Sequence, residues 1–146
     1  PEQGAKEMRV LAIDYGDART GIAVSDAMGM IVGKTPVIHS RNAKKTALEI
    51  GQLAKESGAE RLVMGFPRNM DGSEGPRAAL YREFAALVEQ ECGMEVVLWD
   101  ERRTTVDAHN ILLANGKNAK KRKKTVDAVA AALILEGYLT KKRLER

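Results

Sequence analysis

The sequence predicts an α/β domain with a mixed five-stranded sheet, three antiparallel strands followed by two parallel additions, and helices on its faces. Three observations carry this expectation. Val10 to Ile13 and Arg61 to Phe66 are short, nearly continuous apolar runs, the pattern of strands buried on both faces. The links joining the first three strands are too short for a parallel crossover, which favours a meander. The last two strands each follow an amphipathic helix, the order that adds parallel strands to a sheet.

Taken in order, Val10 to Ile13 leads into Asp14, and residues 16–19 read as a turn. Thr20 to Ser25 is a second strand and Met30 to Ile38 a third, with residues 26–29 between them. Asn42 can cap a helix to about Ser57, which lines up Ala47, Ile50, Leu53 and Ala54 on one face. Gly58 supplies its C-terminal stop. Arg61 to Phe66 is the fourth strand, followed by a turn-rich loop through Gly72. Ser73 and Pro76 open the next helix, with Leu80, Phe84, Leu87 and Val88 as its stripe and Gly93 at its end. Glu95 to Trp99 is the fifth strand. Thr104 and Asp107 resemble a capping box for a helix to about Ala114. Thr125 is expected to cap a last helix, Val126 to Leu139. No internal repeat or second domain is evident.

A chain of 146 residues is expected to form one domain over 8–146, with a sizeable core. Residues 1–7 are polar and stop just before Met8, so they read as a disordered leader or an expression remnant. Hydrophobic residues are 44% and charged residues 30%, a globular balance. No run approaches the roughly 20 apolar residues of a membrane helix, and no secretory signal is visible. The lone Cys92 rules out a disulfide framework and reads as an inert core thiol. Together these features place the chain in a reducing cytoplasm. The net charge is only +4, but it is unevenly spread: residues 116–124 carry Lys117, Lys120, Lys121, Arg122, Lys123 and Lys124 with no acid. That basic loop points toward a polyanion.

Three carboxylates stand in places that a surface role does not demand. Asp14 ends the run Val10–Ile13, and an ionised acid at the end of a central strand is costly unless something, such as a metal ion, pairs it. Glu101 follows the fifth strand. Asp127 lies in the first turn of the last helix, on the line Asp127, Ala131, Ile134, Tyr138, which is small and apolar near its start and should face the sheet. In open α/β sheets sites gather at the C-terminal strand ends, where Asp14 and Glu101 lie. Taken singly, each acid has an ordinary reading, as a turn, a surface or a helix-dipole residue. His39 and His109 lack ligand spacing. Residues 65–69 lack the Gly-Lys-Ser/Thr ending of a phosphate loop. Aromatics are 4% of the chain, so Trp99 is expected in the core or as a partial lid rather than as a base-stacking platform.

Four segments, Asp14-Tyr-Gly-Asp-Ala-Arg-Thr-Gly-Ile-Ala-Val24, Gly65-Phe-Pro-Arg-Asn-Met-Asp-Gly72, Asp100-Glu-Arg-Arg-Thr-Thr105 and Asp127-Ala-Val-Ala-Ala-Ala-Leu-Ile-Leu-Glu136, together resemble the YqgF family of Holliday junction resolvases and pre-16S ribosomal RNA nucleases. The resemblance covers Met8 to Leu139. It implies a ribonuclease H-like fold and an acidic site at Asp14, Glu101 and Asp127. Phe66, Arg68 and Arg103 stand where Leu is frequent in the family, a departure that bears on substrate preference.

The implied chemistry is phosphodiester hydrolysis with Mg²⁺ or Mn²⁺ held by these carboxylates, since hard oxygen ligands suit those ions. Asp100 and Asp71 are candidates for a fourth acid. Arg102 is placed to contact the scissile phosphate or to pair with an acid. The basic residues leading into Asp127 would meet backbone phosphates in a salt-dependent way. The leading expectation is a nuclease of structured RNA that trims precursor 16S ribosomal RNA at its 5′ end. A junction-resolving DNA endonuclease uses the same chemistry but needs two symmetric cuts and hence a dimer. No coiled-coil repeat or dimer patch is seen, and monomer and weak dimer both stay open. A nucleotide-binding module of the actin and sugar-kinase type would need a second half. A non-catalytic RNA-binding factor would bind without metal.

Overall fold

A computed structural model describes residues 8–29, 32–69, 71–100 and 119–144, the last segment with side chains from residue 128 onward. The strands are β1 (Val10–Asp14), β2 (Arg19–Ser25), β3 (Val32–Lys34), β4 (Val37–His39), β5 (Arg61–Phe66) and β6 (Val96–Asp100). The helices are α1 (Ala43–Ser57), α2 (Pro76–Cys92) and α3 (Ala119–Leu144). The sheet order is β3-β2-β1-β5-β6, with β4 also paired to β2, so β1 is central as its apolar run requires.

The connections dictate the directions. Residues 15–18 span too little chain for a crossover, and β2 returns antiparallel, with Leu11 opposite Val24 and Asp14 opposite Gly21. Helix α1 carries the chain back so that β5 lies parallel to β1, Ile13 beside Met64. Helix α2 does the same for β6, Gly65 beside Trp99. The expected α/β class and strand directions hold.

The third strand differs from expectation. It is broken into β3 and β4, both antiparallel to β2. The break falls at Thr35-Pro36, where proline has no N–H to give the ladder; its carbonyl instead accepts from Ile22 N at 2.9 Å. β2 itself shifts register between Val24 and Ser25. There the Ser25 hydroxyl accepts from Val10 N at 2.8 Å, which satisfies the first donor of β1.

The helix ends follow local chemistry. Asn42 caps α1, its side chain accepting from Lys45 N at 3.0 Å. Gly58 closes α1 with φ 73°, a left-handed conformation that glycine adopts without Cβ strain. Helix α2 starts later than Ser73 implies: Gly75 is its N-cap and Pro76 its first residue, the position where a missing N–H costs nothing. Helix α3 begins at Ala119 rather than at a Thr125 cap. The run 120–124 is Lys and Arg, good helix formers, with no Gly or Pro to stop it. The basic stretch expected as a loop is therefore helical from Ala119. The helix expected over 104–114 lies outside the described residues.

The sheet sorts its side chains between two cores. Leu11, Ile13, Ile22, Val24, Leu62, Met64 and Phe66 form one cluster with the buried faces of α1 and α2. Val10, Ala12, Ala23 and Val63 form the other with Ala131, Ile134, Leu135, Tyr138 and Leu139 of α3. Helix α3 crosses β2, β1 and β5. The small residues Ala12, Ala23, Ala130 and Ala131 are all buried where it does so. In α2 the expected stripe is rotated: Leu80 is exposed, and Tyr81, with Ala78 and Ala85, takes the buried face beside Phe84 and Val88. Among the described residues no helix is long and apolar enough to cross a membrane.

The turn after Asp14 is tight enough to exclude a side chain. A Cβ at Gly16 would run into the Arg19 carbonyl oxygen. Gly16→Ala is therefore expected to cost about 1–3 kcal/mol of unfolding free energy, the usual cost of overpacking. Urea denaturation checks it, and an unchanged midpoint would show that the turn can relax.

Candidate active site

Asp14 is the last residue of the central strand, at the C-terminal rim shared by the parallel strands β1, β5 and β6. Its face follows from the strand period of two. Val10 and Ala12 lie in the α3 cluster, while Leu11 and Ile13 lie in the opposite one. Asp14 continues the first set and so belongs to the α3 side. Its neighbours on that side are glycines. Gly21 is directly opposite it on β2, and Gly65 comes one residue after Met64, the partner of Ile13, on β5. Neither of these two flanking positions carries a side chain.

The turn behind Asp14 is pinned from the other side. The Tyr15 ring stacks on Phe84, centroids 3.8 Å apart and 12° between planes. It also meets Tyr81 edge-on at 5.4 Å. The Tyr81 hydroxyl donates to the Tyr15 carbonyl at 2.8 Å and accepts from Arg77 Nη2 at 2.8 Å. A chain of two hydrogen bonds from α2 thus fixes the Tyr15–Gly16 peptide in the turn behind Asp14. Burial, aided by the nearby Asp17 charge, raises the Tyr15 phenol above its ordinary pKa. Sequence reading overlooked Tyr81; its place three residues before Phe84, one helical turn, was the available signal.

The remaining expected residues divide. Glu101, Arg102 and Lys117 lie outside the described residues, as does His109. Lys120, Lys121, Arg122, Lys123, Lys124 and Asp127 all lie on α3. Asp127 is four positions before Ala131, and Ala131, Ile134 and Tyr138, the other members of its line, are buried as expected. Among the described residues no three His, Cys, Asp or Glu side chains form a metal cluster. Of the two candidate fourth acids, Asp71 serves its own loop: Oδ1 accepts from Ser73 N at 2.9 Å and Ser73 Oγ at 2.6 Å. Asp100 is the partner of Phe66 across β5–β6. Phe66 belongs to the cluster opposite α3, so Asp100 shares that opposite face. His39 ends β4 with an exposed side chain. Cys92 is half-buried, and burial, then Glu91, pushes its thiol pKa up, as expected of an unreactive cysteine.

Tyr81→Phe keeps the ring contacts and deletes the hydroxyl. It leaves the Tyr15 carbonyl without its donor, so a loss of about 0.5–1.5 kcal/mol is expected in urea denaturation. The Tyr15 phenol adds a pH dependence. Its folded pKa is raised, so its contribution is complete below the ordinary tyrosine pKa and is lost as pH rises through the raised value. Of the 3 tyrosines, Tyr15 should ionise late in an ultraviolet titration, and its ionisation at the ordinary pKa would contradict this packing.

Comparison with known proteins supplies the context. The family model described as RuvX, Holliday junction resolvase, matches residues 8–141. A protein of Carboxydothermus hydrogenoformans named "Putative pre-16S rRNA nuclease" is 41% identical over 135 residues, 92% of this chain and 98% of the relative. One of the same name from Acetivibrio thermocellus is 43% identical over 137 residues, 92% of this chain and 97% of the relative. Among solved structures, Thermus thermophilus RuvC, determined with a Holliday junction substrate, superposes with a TM-score of 0.55 at 18% identity. The match covers 87% of this chain and 92% of that one. That likeness shows the ribonuclease H-like fold expected from the four segments. With a family match over 8–141 and relatives above 40% identity along almost their whole length, the chain belongs to the RuvX family, also called YqgF, and is a nuclease that hydrolyses phosphodiester bonds.

Proposed function

We propose that this chain trims the 5′ end of precursor 16S ribosomal RNA in the cytoplasm, using Mg²⁺ or Mn²⁺ held by Asp14, Glu101 and Asp127. The observation that carries the reading is the place of Asp14: at the C-terminal end of the central strand, on the α3 side, between Gly21 and Gly65. Sequence spacing supports the other two acids. Glu101 comes two positions after Trp99, one strand period, and Trp99 belongs to the α3 cluster. Asp127 comes one helical turn before the buried Ala131. The donor set fits a hard divalent cation, being carboxylate oxygen throughout, with two bare flanks for water and phosphate.

Nucleases of this fold generally depend on divalent metal. When bound, the cation would activate water and neutralise the phosphate. The protein's own part is positional. Asp14 holds its carboxylate on a strand that cannot move without disrupting both cores. Tyr81 and Arg77 fix the turn behind it. Arg102 is assigned to the scissile phosphate. Lys117, Lys120, Lys121, Arg122, Lys123 and Lys124 are assigned to the phosphates beyond it, each contact adding salt-sensitive affinity.

A second reading is favoured by the family description: a Holliday junction resolvase acting on branched DNA. It requires a dimer to place two sites on two strands.

Wild-type protein and Asp14→Asn, each incubated with end-labelled precursor 16S RNA and with a four-way DNA junction in Mg²⁺, Mn²⁺ or EDTA, separate these readings. RNA cleavage that needs metal is expected, reduced at least about 10²-fold in Asp14→Asn, as for loss of one electrostatic catalytic group. Symmetric junction cleavage alone would establish the resolvase. Full activity in Asp14→Asn would overturn the three-carboxylate site.

A further inference from the structure

Beside the carboxylate rim, the structure forms a cavity of about 490 Å³ lined by Phe66, Arg68, Trp99, Asp100 and Lys141, among others. That size is within the roughly 300–1,000 Å³ of small-ligand sites. Its walls come from three elements: the ends of β5 and β6, the loop after β5, and the last turn of α3.

Trp99 is its main apolar surface. Sequence reading expected it in the core or as a partial lid; the indole is half-buried and is part of the lining. It is also held in place. A Cβ at Gly137 would lie 2.9 Å from Trp99 Cζ2, so the helix approaches the ring through a glycine. Tyr138 packs edge-on at 6.2 Å. The ring is therefore pre-organised before any ligand arrives.

Two cations line the same cavity. Lys141 Nζ is 6.0 Å from the indole centroid. Arg68 is positioned from the far wall by a 3.2 Å hydrogen bond to the Gly72 carbonyl and lies 5.3 Å from the Phe66 ring. Glu74 does not cancel Arg68. Its carboxylate is engaged by Arg82 at 2.6 and 3.2 Å, and its contact with Arg68 is a weaker 3.9 Å. Among the described residues of the lining, two cations stand against one carboxylate, Asp100.

A fixed aromatic surface that shares a cavity with two cations has the chemistry of a nucleotide subsite: a base for the ring and phosphate for the cations. Its location suits a strand passing over the carboxylates. Trp99 is beside Gly65 on the adjacent strand, and Gly65 is one strand from Asp14. Two strand spacings are about 10 Å, which a nucleic acid strand covers in a few nucleotides at about 3.4 Å per stacked unit.

We propose that this cavity holds one unpaired nucleobase of the substrate strand against Trp99, with its neighbouring phosphates on Arg68 and Lys141, so that the enzyme selects cleavage positions flanked by an unpaired nucleotide. The inference rests on the nuclease reading for its substrate, but its binding step is separable from cleavage.

The chain has 1 tryptophan, so indole fluorescence reports this site alone. The test titrates wild-type protein in EDTA with a short single-stranded oligoribonucleotide, with its abasic counterpart and with a blunt duplex, and runs metal-dependent cleavage of matched substrates in parallel. Saturable quenching is expected with the single strand, with binding weakened at least about tenfold for the abasic strand. Arg68→Gln and Lys141→Gln should each reduce the slope of log affinity against log salt by about 0.7. Trp99→Leu, checked for folding by circular dichroism, should lose the preference for base over abasic strand in a filter-binding assay. Cleavage with no quenching and equal binding of base and abasic strands would overturn the subsite and leave the nuclease standing. Quenching without cleavage under any metal would overturn the nuclease reading and leave the subsite. Unchanged salt slopes in both Gln variants would remove the phosphates from the proposal.

Discussion

The register of β1 against its neighbours is the constraint on which the rest depends. The strand period of two sends Leu11 and Ile13 to one core and Val10 and Ala12 to the other. A slip by one residue would exchange the two sets. Ala12 marks why that cannot happen cheaply. The α3 helix crosses here over small residues, and exchanging Ala12 for Leu11 or Ile13 would drive a large side chain into a contact built for a methyl group. Each large aliphatic placed correctly is worth about 1.5–3 kcal/mol. The hydrophobic pattern therefore fixes the face of Asp14, and the acid takes the position it is given.

The same economy shapes the surroundings of Asp14. Glycine weakens a strand interior, yet Gly21 and Gly65 occupy the two strands beside it. The rim accepts that weakness on the side facing α3 and compensates on the other, where Tyr15, Phe84 and Tyr81 pack against one another and hydrogen-bond the backbone. On the side facing α3 the two flanking residues are glycines, and the opposite side is filled with rings. This division explains why the aromatic residues, scarce as they are, gather next to the acidic turn.

How much could be read from the chain depends on whether a signal was local. The central strands were legible because burial on both faces leaves continuous apolar runs, and α1 because Asn42 and Gly58 punctuate it. The third strand was misread as one piece because its division depends on Pro36 meeting the β2 ladder, a tertiary event. The start of α3 was misplaced because Thr125 looks like a cap, while nothing in the Lys and Arg run before it ends a helix. Leu80 and Tyr81 are adjacent, and hydropathy favours the wrong one: Tyr81 is buried because its hydroxyl finds partners in Tyr15 and Arg77, which no periodicity count includes. At the rim, the place of Asp14 at the end of the central strand was legible from the apolar run that leads into it. For Trp99 the sequence left core and partial lid open, since the glycine that supports its indole comes from a helix roughly forty residues later.

In the proposed reading, Trp99 and Asp14 divide two tasks over one sheet. Both side chains belong to the α3 side, on strands one removed from each other, with Gly65 between them. A larger residue at that position would divide the surface into two pockets. Glycine keeps it continuous, so a single strand of nucleic acid can lie across both. Chemistry is assigned to the central strand, where two cores prevent movement. Discrimination is assigned to the edge strand β6, where the walls are a loop and a helix end that can differ between relatives without disturbing the core. Of the departures of this chain, Arg68 falls in that loop, whereas Phe66 is buried at the end of β5.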